Sequence, residues 1–256
     1  MRTGRNRLVA LLAAATIILV GCSSDSGDSG TGSAAGGGRD ERVTIRLAAS
    51  DQGAGYPTPY GAVRGPGRLI SSFLFDTLAF PDVTGEPKPW LARSWESSPD
   101  GKTWTFRLRD TVKWHDGRPL TADDVVFTFD YNLKGPGAAT GVYSAINYVD
   151  SVTSPDPYTV VIVINSVRPS FLPDVAGSFS AMSIIPKHIW SGVTDPAKFQ
   201  GDQALIGSGP YRLNQFDLTN NTYQFVANED FYLGPPKVRE LQIIKVGDPL
   251  LSLQRG

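Results

Sequence analysis

The residues best suited to chemistry stand together in "WHDGRPLTADDV", residues 114–125, which holds one histidine and three aspartates. A histidine beside an aspartate, as in His115-Asp116, is the pair that a proton relay uses. Histidine and carboxylate side chains are also the ligands that a bound metal ion accepts. The stretch therefore raises a catalytic and an architectural hypothesis, and the elements that position these residues decide between them.

A hairpin is predicted for "VKWHDGRPL", residues 112–120, with Asp116 and Gly117 at its tip. Asp-Gly is favoured in tight turns because the backbone there needs positive φ. Neighbouring residues of a strand point to opposite faces, so His115 and Asp116 are not expected to act together. This pattern favours an architectural role for the pair.

A helix is predicted for residues 122–134, directly after the hairpin. Thr121 can cap the free N–H groups of its first turn, and Asp124 at the third helical position completes a capping box. Asp123 lies where the helix dipole favours negative charge. The aspartates of the stretch thus have structural explanations.

Other catalytic and metal-binding signals are scarce in the chain. His188 is the only other histidine, Cys22 is the only cysteine, and no G-x-S-x-G, P-loop or H-E-x-x-H motif occurs. We therefore expect no enzymatic activity, no metal site and no cofactor. The formal net charge of −1 argues against a general nucleic-acid binder.

The amino terminus has the pattern of an export signal. Residues 1–7 carry three Arg and no acid, and residues 8–20 are apolar except for Thr16 but too few to span a membrane, which takes about 20 residues. The run ends in "LVGC", which resembles the bacterial lipoprotein box. We expect residues 1–21 to be removed and Cys22 to carry lipid on the outer face of the bacterial cytoplasmic membrane. The alternative is a plain signal peptide with an incidental thiol.

A flexible tether is predicted for residues 22–42. Its stretch "SSDSGDSGTGSAAGGG" has no apolar residue larger than Ala and cannot bury surface. As a random coil this stretch reaches roughly 20–25 Å, enough to hold a folded body just off a membrane.

The remainder, from Val43, alternates strand and helix patterns and predicts a mixed α/β fold. Strands are predicted at residues 43–50, 158–165, 207–216, 222–228 and 238–246, with a hairpin over 95–109. "PWLARSW", residues 89–95, is predicted as a short helix because proline suits a first helical turn.

The stretch "LARSWESSPDGKTWTFRLRDTVKWHDGRPLTADDVVFTFDY", residues 91–131, resembles the signature region of the family 5 extracellular solute-binding proteins. These are the peptide- and nickel-type receptors of ABC importers. "IIPKH", "GSGPYRL" and "NEDFY" resemble later segments of that family in the same order. The resemblance extends from Val43 to Gly256 and implies a type II periplasmic-binding-protein-like fold. Two α/β lobes close over a solute, which is passed to a permease without any bond being made or broken.

The resemblance also implies a domain layout. Residues 43–65 and about 190–256 would form the core of the first lobe, a mixed sheet, and residues 66–189 would form a subdomain inserted in it. Family members are much longer, and the sequence ends where the second lobe should begin. We therefore expect the second lobe to be absent and the chain to be truncated.

Candidate ligand contacts follow from the same resemblance. The loop after the first strand offers Gln52, Tyr56, Tyr60 and Arg64 for stacking, hydroxyl and cationic contacts. An alternative is that these tyrosines pack the loop onto its own lobe. Ser208 replaces the threonine of the family's Gly-Thr-Gly-Pro-Tyr near the lobe junction, where either a ligand contact or a purely structural role fits.

The sequence thus predicts a monomeric, lipid-anchored receptor for a peptide or similar small solute, working with the permease subunits of an ABC importer. A metal chelate or a sugar is the alternative cargo. A secreted enzyme or an adhesive surface domain is the alternative class of protein, which catalytic turnover or a protein partner would reveal.

Overall fold

The computed structural model describes residues 42–47, 55–61, 65–143, 146–176, 182–220 and 222–245. The strands are β1 (Arg42–Leu47), β2 (Ala79–Pro81), β3 (Pro87–Pro89), β4 (Ala92–Ser97), β5 (Thr103–Leu108), β6 (Val149–Asp156), β7 (Thr159–Ile164), β8 (Tyr211–Asp217), β9 (Thr222–Ala227) and β10 (Glu240–Lys245). The α-helices are α1 (Gly65–Ser71), α2 (Ala122–Leu133), α3 (Phe171–Ala176) and α4 (Lys187–Trp190). Short 3₁₀ turns cover Ala138–Thr140 and Asp202–Leu205.

The first sheet has the strand order β1-β10-β9-β8. Strand β1 runs parallel to β10, and the other neighbours are antiparallel, so the sheet is mixed as predicted. In β9, Tyr223 and Phe225 are buried on one face while Gln224 between them points to the other. The alternation of buried and more exposed side chains that predicted this strand is confirmed.

The second sheet is antiparallel throughout, in the order β4-β5-β7-β6. Strands β4 and β5 form the predicted hairpin, and Gly101 in its turn has φ +69°. Central strand β7 buries Val160, Ile162 and Ile164 on one face. Helix α2 packs against strands β6 and β7 of this sheet and buries its own Val125 and Phe129.

The helix predicted for residues 89–95 is wrong. Pro89 instead ends β3, which pairs only with the short strand β2, and Ala92 begins β4. A proline lacks the N–H that a central strand must donate, so it fits such an edge strand. Residues 92–97 form a strand because the tight turn at Gly101 places β5 beside them, where the two segments can pair. Strand β6 was not predicted either, because its exposed face carries mostly polar residues.

One continuous cluster of buried apolar side chains runs through both sheets, from Leu74 and Phe106 to Phe225 and Ile243. The first sheet is built from residues within 42–47 and 211–245, and the second from residues within 92–164. The expected division into a lobe core and an inserted subdomain remains a prediction. Within the described ranges no helix is long and apolar enough to cross a membrane, and the apolar run at residues 8–20 lies outside them.

Candidate functional site

The hairpin predicted over residues 112–120 is present. The Trp114 N–H donates to the Arg118 carbonyl at 2.8 Å, and the Gly117 N–H donates to the Trp114 carbonyl at 2.8 Å. Gly117 has φ +87°, in the region that residues with a side chain rarely adopt. The Asp-Gly pair therefore shapes the turn, as its sequence predicts.

His115 and Asp116 face different parts of the molecule. The His115 ring turns inward, where Nδ1 accepts a hydrogen bond from the Gly207 N–H at 3.2 Å and Nε2 lies 3.1 Å from the Gly209 carbonyl oxygen. The Asp116 carboxylate instead accepts a hydrogen bond from His188 at 2.8 Å. Since the two side chains share no partner, they cannot work as a relay.

The ionisation of the two residues agrees with this separation. Burial lowers the pKa of His115 to about 4, so the ring is neutral near pH 7. Partial burial works against ionisation of Asp116, but hydrogen bonds from the Arg118 N–H and from His188 lower its pKa overall. Neither residue is poised for proton transfer at neutral pH.

Asp124 supports the start of α2, and Asp123 lies beside it on the surface. The Thr121 N–H donates to Asp124 Oδ2 at 3.0 Å, the reciprocal half of a capping box. Asp124 Oδ1 also accepts from the Lys187 N–H at 2.9 Å and so joins α2 to α4. Asp123 accepts from the Ser154 hydroxyl at 3.0 Å on the surface. The predicted capping role of Asp124 is confirmed.

Ser208 lies inside the molecule, with 1% of its surface exposed. Its hydroxyl donates to Asp76 Oδ2 at 2.9 Å. The next residue, Gly209, donates its N–H to the Leu74 carbonyl at 2.8 Å. A Cβ at Gly209 would lie 2.6 Å from the Phe73 carbonyl oxygen, so glycine permits this close approach. A ligand could reach the Ser208 hydroxyl only if this packing opened.

Tyr56 is 8% exposed, and its hydroxyl is engaged with the backbone of Gly201. The hydroxyl accepts from the Gly201 N–H at 2.8 Å and lies 3.2 Å from the Gly201 carbonyl oxygen. The ring meets that of Phe216 edge to face, with centroids 5.4 Å apart. These contacts hold the first loop against β8 and against the segment before it.

Tyr60 is 2% exposed and donates its hydroxyl hydrogen to Asn132 Oδ1 at 3.0 Å. Its ring packs against Tyr131, Tyr143 and Trp190, with centroids 5.8, 6.1 and 5.2 Å away. Of the other candidate residues, Cys22, Gln52 and Arg64 lie outside the described ranges.

Tyr60 also borders a surface cleft of about 460 Å³. Small hydroxyl, proline and apolar residues line the cleft together with one carboxylate: Pro136, Ala139, Thr140, Val142, Thr194, Asp195, Pro196 and Ala197. A cleft of this size that mixes apolar surface with a few polar groups suits a small organic solute. In the part of the chain that the structure describes, no three His, Cys, Asp or Glu side chains lie close enough together to hold a metal ion.

Comparisons with known proteins show which family this chain is similar to. Residues 86–254 match the family model described as "Bacterial extracellular solute-binding proteins, family 5 Middle". The nickel-binding periplasmic protein of Escherichia coli is 31% identical over 186 residues, covering 71% of this chain and 33% of that protein. The dipeptide-binding protein of the same organism is 33% identical over 177 residues, covering 62% of this chain and 32% of that protein.

Solved structures of solute-binding proteins have a similar fold. NikZ from Campylobacter jejuni, in complex with Ni(L-His), matches with a TM-score of 0.70 and 28% identity, over 84% of this chain and 41% of that chain. The oligopeptide-binding protein AppA from Bacillus subtilis, in complex with a nonapeptide, matches in fold with a TM-score of 0.69 and 22% identity, over 84% of this chain and 42% of that chain. This chain thus spans about a third to two fifths of the length of these relatives. It belongs to the bacterial extracellular solute-binding proteins of family 5.

Proposed function

We propose that this chain is part of the solute receptor of an ABC importer, which captures a peptide or similar small solute outside the cytoplasmic membrane and delivers it to a permease. The family match over residues 86–254 carries this proposal. Peptide is the first candidate cargo, because relatives at 32–33% identity are named as peptide- and dipeptide-binding proteins. A nickel chelate is the second, from the nickel-binding relative.

The cleft beside Tyr60 is the proposed solute-contacting surface. The Thr194 hydroxyl, and the Asp195 carboxylate that Lys198 Nζ contacts at 2.8 Å, can meet polar groups of a solute, while the proline and valine side chains of the cleft cover apolar parts. The predicted contacts from Gln52 and Arg64 would add an amide and a cation from the first loop. This division of roles supports recognition by contact alone, without a chemical step.

Membrane attachment completes the proposal. Cys22 would carry the lipid, and the residues after it would hold the folded body near the permease. Stable anchoring needs two lipid signals or more, since one acyl chain binds only marginally. The predicted position of Cys22 directly after a signal sequence supports such processing.

Calorimetry of the Cys22→Ser chain, lacking residues 1–21, tests the binding proposal. Di-, tri- and nonapeptides and Ni(L-His) would be titrated in turn. If the cleft supplies about half of the contacts of a micromolar ligand, worth ~8 kcal/mol in total, the expected dissociation constant is roughly millimolar. A full-length relative of the family serves as the reference for two-lobed binding.

A matched pair of variants tests the cleft. Thr194→Val removes a cleft hydroxyl, whereas Thr153→Val makes the same change on exposed strand β6. We expect only Thr194→Val to weaken binding. Recovery of the solute unchanged would separate a receptor from a secreted enzyme. Absence of heat with every solute, or turnover of any of them, would contradict the proposal.

A further inference from the structure

The indole N–H of Trp190 is a buried donor without an acceptor. Trp190 is the last residue of helix α4, and its side chain is fully buried. Its Nε1 atom makes no hydrogen bond with the rest of the chain. A buried polar group that lacks a partner lowers the stability of the folded state, so native proteins keep few of them. A donor kept in this condition calls for a functional explanation.

Two other buried side chains of the described ranges lack a regular hydrogen bond, but each of them lies close to a carboxylate. The Trp114 indole lies close to Asp124, and the Tyr232 hydroxyl lies close to Asp76. A small movement of the side chain completes either hydrogen bond. Trp190 differs from both, because aromatic rings surround its indole.

Three of these rings are those of Tyr60, Tyr131 and Phe199. Their centroids lie 5.2, 6.3 and 5.0 Å from the centroid of the Trp190 ring. Both tyrosine hydroxyls are engaged elsewhere: that of Tyr60 donates to Asn132 Oδ1 at 3.0 Å, and that of Tyr131 donates to a backbone carbonyl at 2.8 Å. The indole therefore packs against ring surface while its N–H stays unpaired.

Trp190 adjoins the cleft that we propose as the solute-contacting surface. The Tyr60 ring, which packs on the indole, is one of the residues that line this cleft. Residues 194–197, which also line it, begin four positions after Trp190. Tyr60 thus touches both the cleft and the buried indole, so a movement of its ring would open a path between them.

We propose that the Trp190 indole N–H is a donor for the solute: when the Tyr60 ring moves aside, a carbonyl or carboxylate oxygen of the solute accepts its hydrogen bond. This inference rests on the proposed receptor function and adds the chemical group that the cleft selects. A site with a buried donor discriminates against solutes that lack an acceptor, because such solutes leave the donor unpaired. Peptides and the histidine of Ni(L-His) both carry the required oxygen.

Removal of the N–H should affect stability and binding differently. In the solute-free chain the N–H has no partner, so its removal should leave stability unchanged or raise it. In the complex the N–H pairs with the solute oxygen, so its removal should weaken binding. A donor that serves the fold alone would give the opposite result, with lower stability and unchanged affinity.

The test replaces Trp190 by 3-benzothienylalanine, which keeps the shape of tryptophan and has sulfur in place of the N–H. The same replacement of Trp90 is the matched control, because the Trp90 N–H donates to Asp76 Oδ1 at 2.8 Å. Both are made in the chain lacking residues 1–21, as Cys22→Ser. Urea unfolding measures stability, and calorimetry with trialanine and with Ni(L-His) measures affinity.

At position 190 we expect affinity to fall by about two- to tenfold, with stability unchanged or higher. At position 90 we expect the unfolding constant to rise by about tenfold, because a carboxylate loses a donor, with affinity unchanged. Lower stability at position 190 would overturn the proposal, because the N–H would then already have a partner in the folded chain, such as a ring face or a water molecule. Unchanged affinity at position 190, with a parent that binds, would overturn it and leave the receptor function standing.

If the parent binds neither solute, the receptor function is refuted and this proposal with it. If the chain with the Trp190 replacement does not fold, NMR of the parent gives the answer. The indole N–H signal of Trp190 should move downfield when the solute that the parent binds, trialanine or Ni(L-His), is added, whereas the signal of Trp90 should stay. A Trp190 signal that does not move in the presence of bound solute would refute the proposal.

Discussion

His188 Nε2 donates a hydrogen bond to the Asp116 carboxylate at 2.8 Å and so ties helix α4 to the tip of the hairpin over residues 112–120. Both side chains are partly exposed, at 22% and 24%. His115, next to Asp116 in sequence, turns its ring inward to Gly207 and Gly209. The two histidines therefore serve two separate joints and form no common site.

Replacing His188 should have a small effect. We expect His188→Gln to change the free energy of unfolding by less than ~1 kcal/mol, because partly exposed ion pairs contribute little. Any part of the difference that comes from charge should shrink further in high salt, which screens charges. Urea unfolding at low and high ionic strength measures both effects. A loss of several kcal/mol would show that this pair is a major structural joint.

His115→Ala should destabilise the chain more than His188→Gln does. It leaves the Gly207 N–H without its partner, and an unpaired buried polar group costs about 1–3 kcal/mol, whereas the Gly209 carbonyl keeps the hydrogen bond from Asn228. In a folded, solute-binding receptor of this sequence the same change should leave affinity nearly unchanged. Calorimetry that finds a hundredfold loss of affinity, about 2.7 kcal/mol, would restore a functional role for this histidine.

The turn at Gly117 offers a test of backbone conformation alone. Its φ is +87°, and no atom lies within 4 Å of the place where a Cβ would stand. Gly117→Val should therefore destabilise by about 1–3 kcal/mol through the backbone and not through a clash. Gly192→Val is the matched control, because that site is equally open and its φ is not positive. Equal losses from both variants would contradict this explanation.

The start of α2 should depend more on Asp124 than on Thr121. Thr121→Ala should cost about 1 kcal/mol through the weakened cap. Asp124→Ala removes the acceptor for the N–H groups of both Thr121 and Lys187, so its cost should be clearly larger. Asp123→Ala, on the exposed side of the same turn, is the control and should change stability by less than ~0.5 kcal/mol. The reverse order in urea unfolding would refute the capping assignment.

Cys22 provides the test of anchoring. Cys22→Ser in the exporting cell should release the protein into the soluble fraction or leave an unprocessed precursor, because no lipid can be attached. Ser23→Ala is the matched control and should stay with the membrane. Fractionation and mass spectrometry of the mature amino terminus measure the outcome. Membrane-bound mature protein with an unmodified Cys22 would end the lipid proposal.

Local signals in the sequence predicted most of the regular elements. The Asp-Gly turn, the Thr121–Asp124 cap and the alternation in β9 depend on neighbouring residues, so the sequence alone could place them. The predicted helix over residues 89–95 is wrong for the start of β4, because the strand state of Ala92–Ser94 comes from pairing with β5, which a local pattern does not contain.

The same limit applies to the candidate site, because a local pattern does not contain contacts between residues far apart in the sequence. The sequence could name Tyr56, Tyr60 and Ser208 but could not tell which way their side chains face. That depends on partners far along the chain: Gly201 for Tyr56, Asn132 for Tyr60 and Asp76 for Ser208. The inward role of His115 also escaped prediction, since its partners lie more than 90 residues away.

The parallel pairing of β1 with β10 sets an order of events for the chain as it folds. Arg42 pairs with Glu240, so β1 waits until the chain has been made as far as β10. Closing so long a loop costs entropy and slows the step, whereas the β4–β5 and β8–β9 hairpins can form locally. Until the chain has been made as far as β10, β1 therefore lacks its partner strand, whereas residues 92–164 already contain every strand of the second sheet, so the second sheet can be completed well before the first.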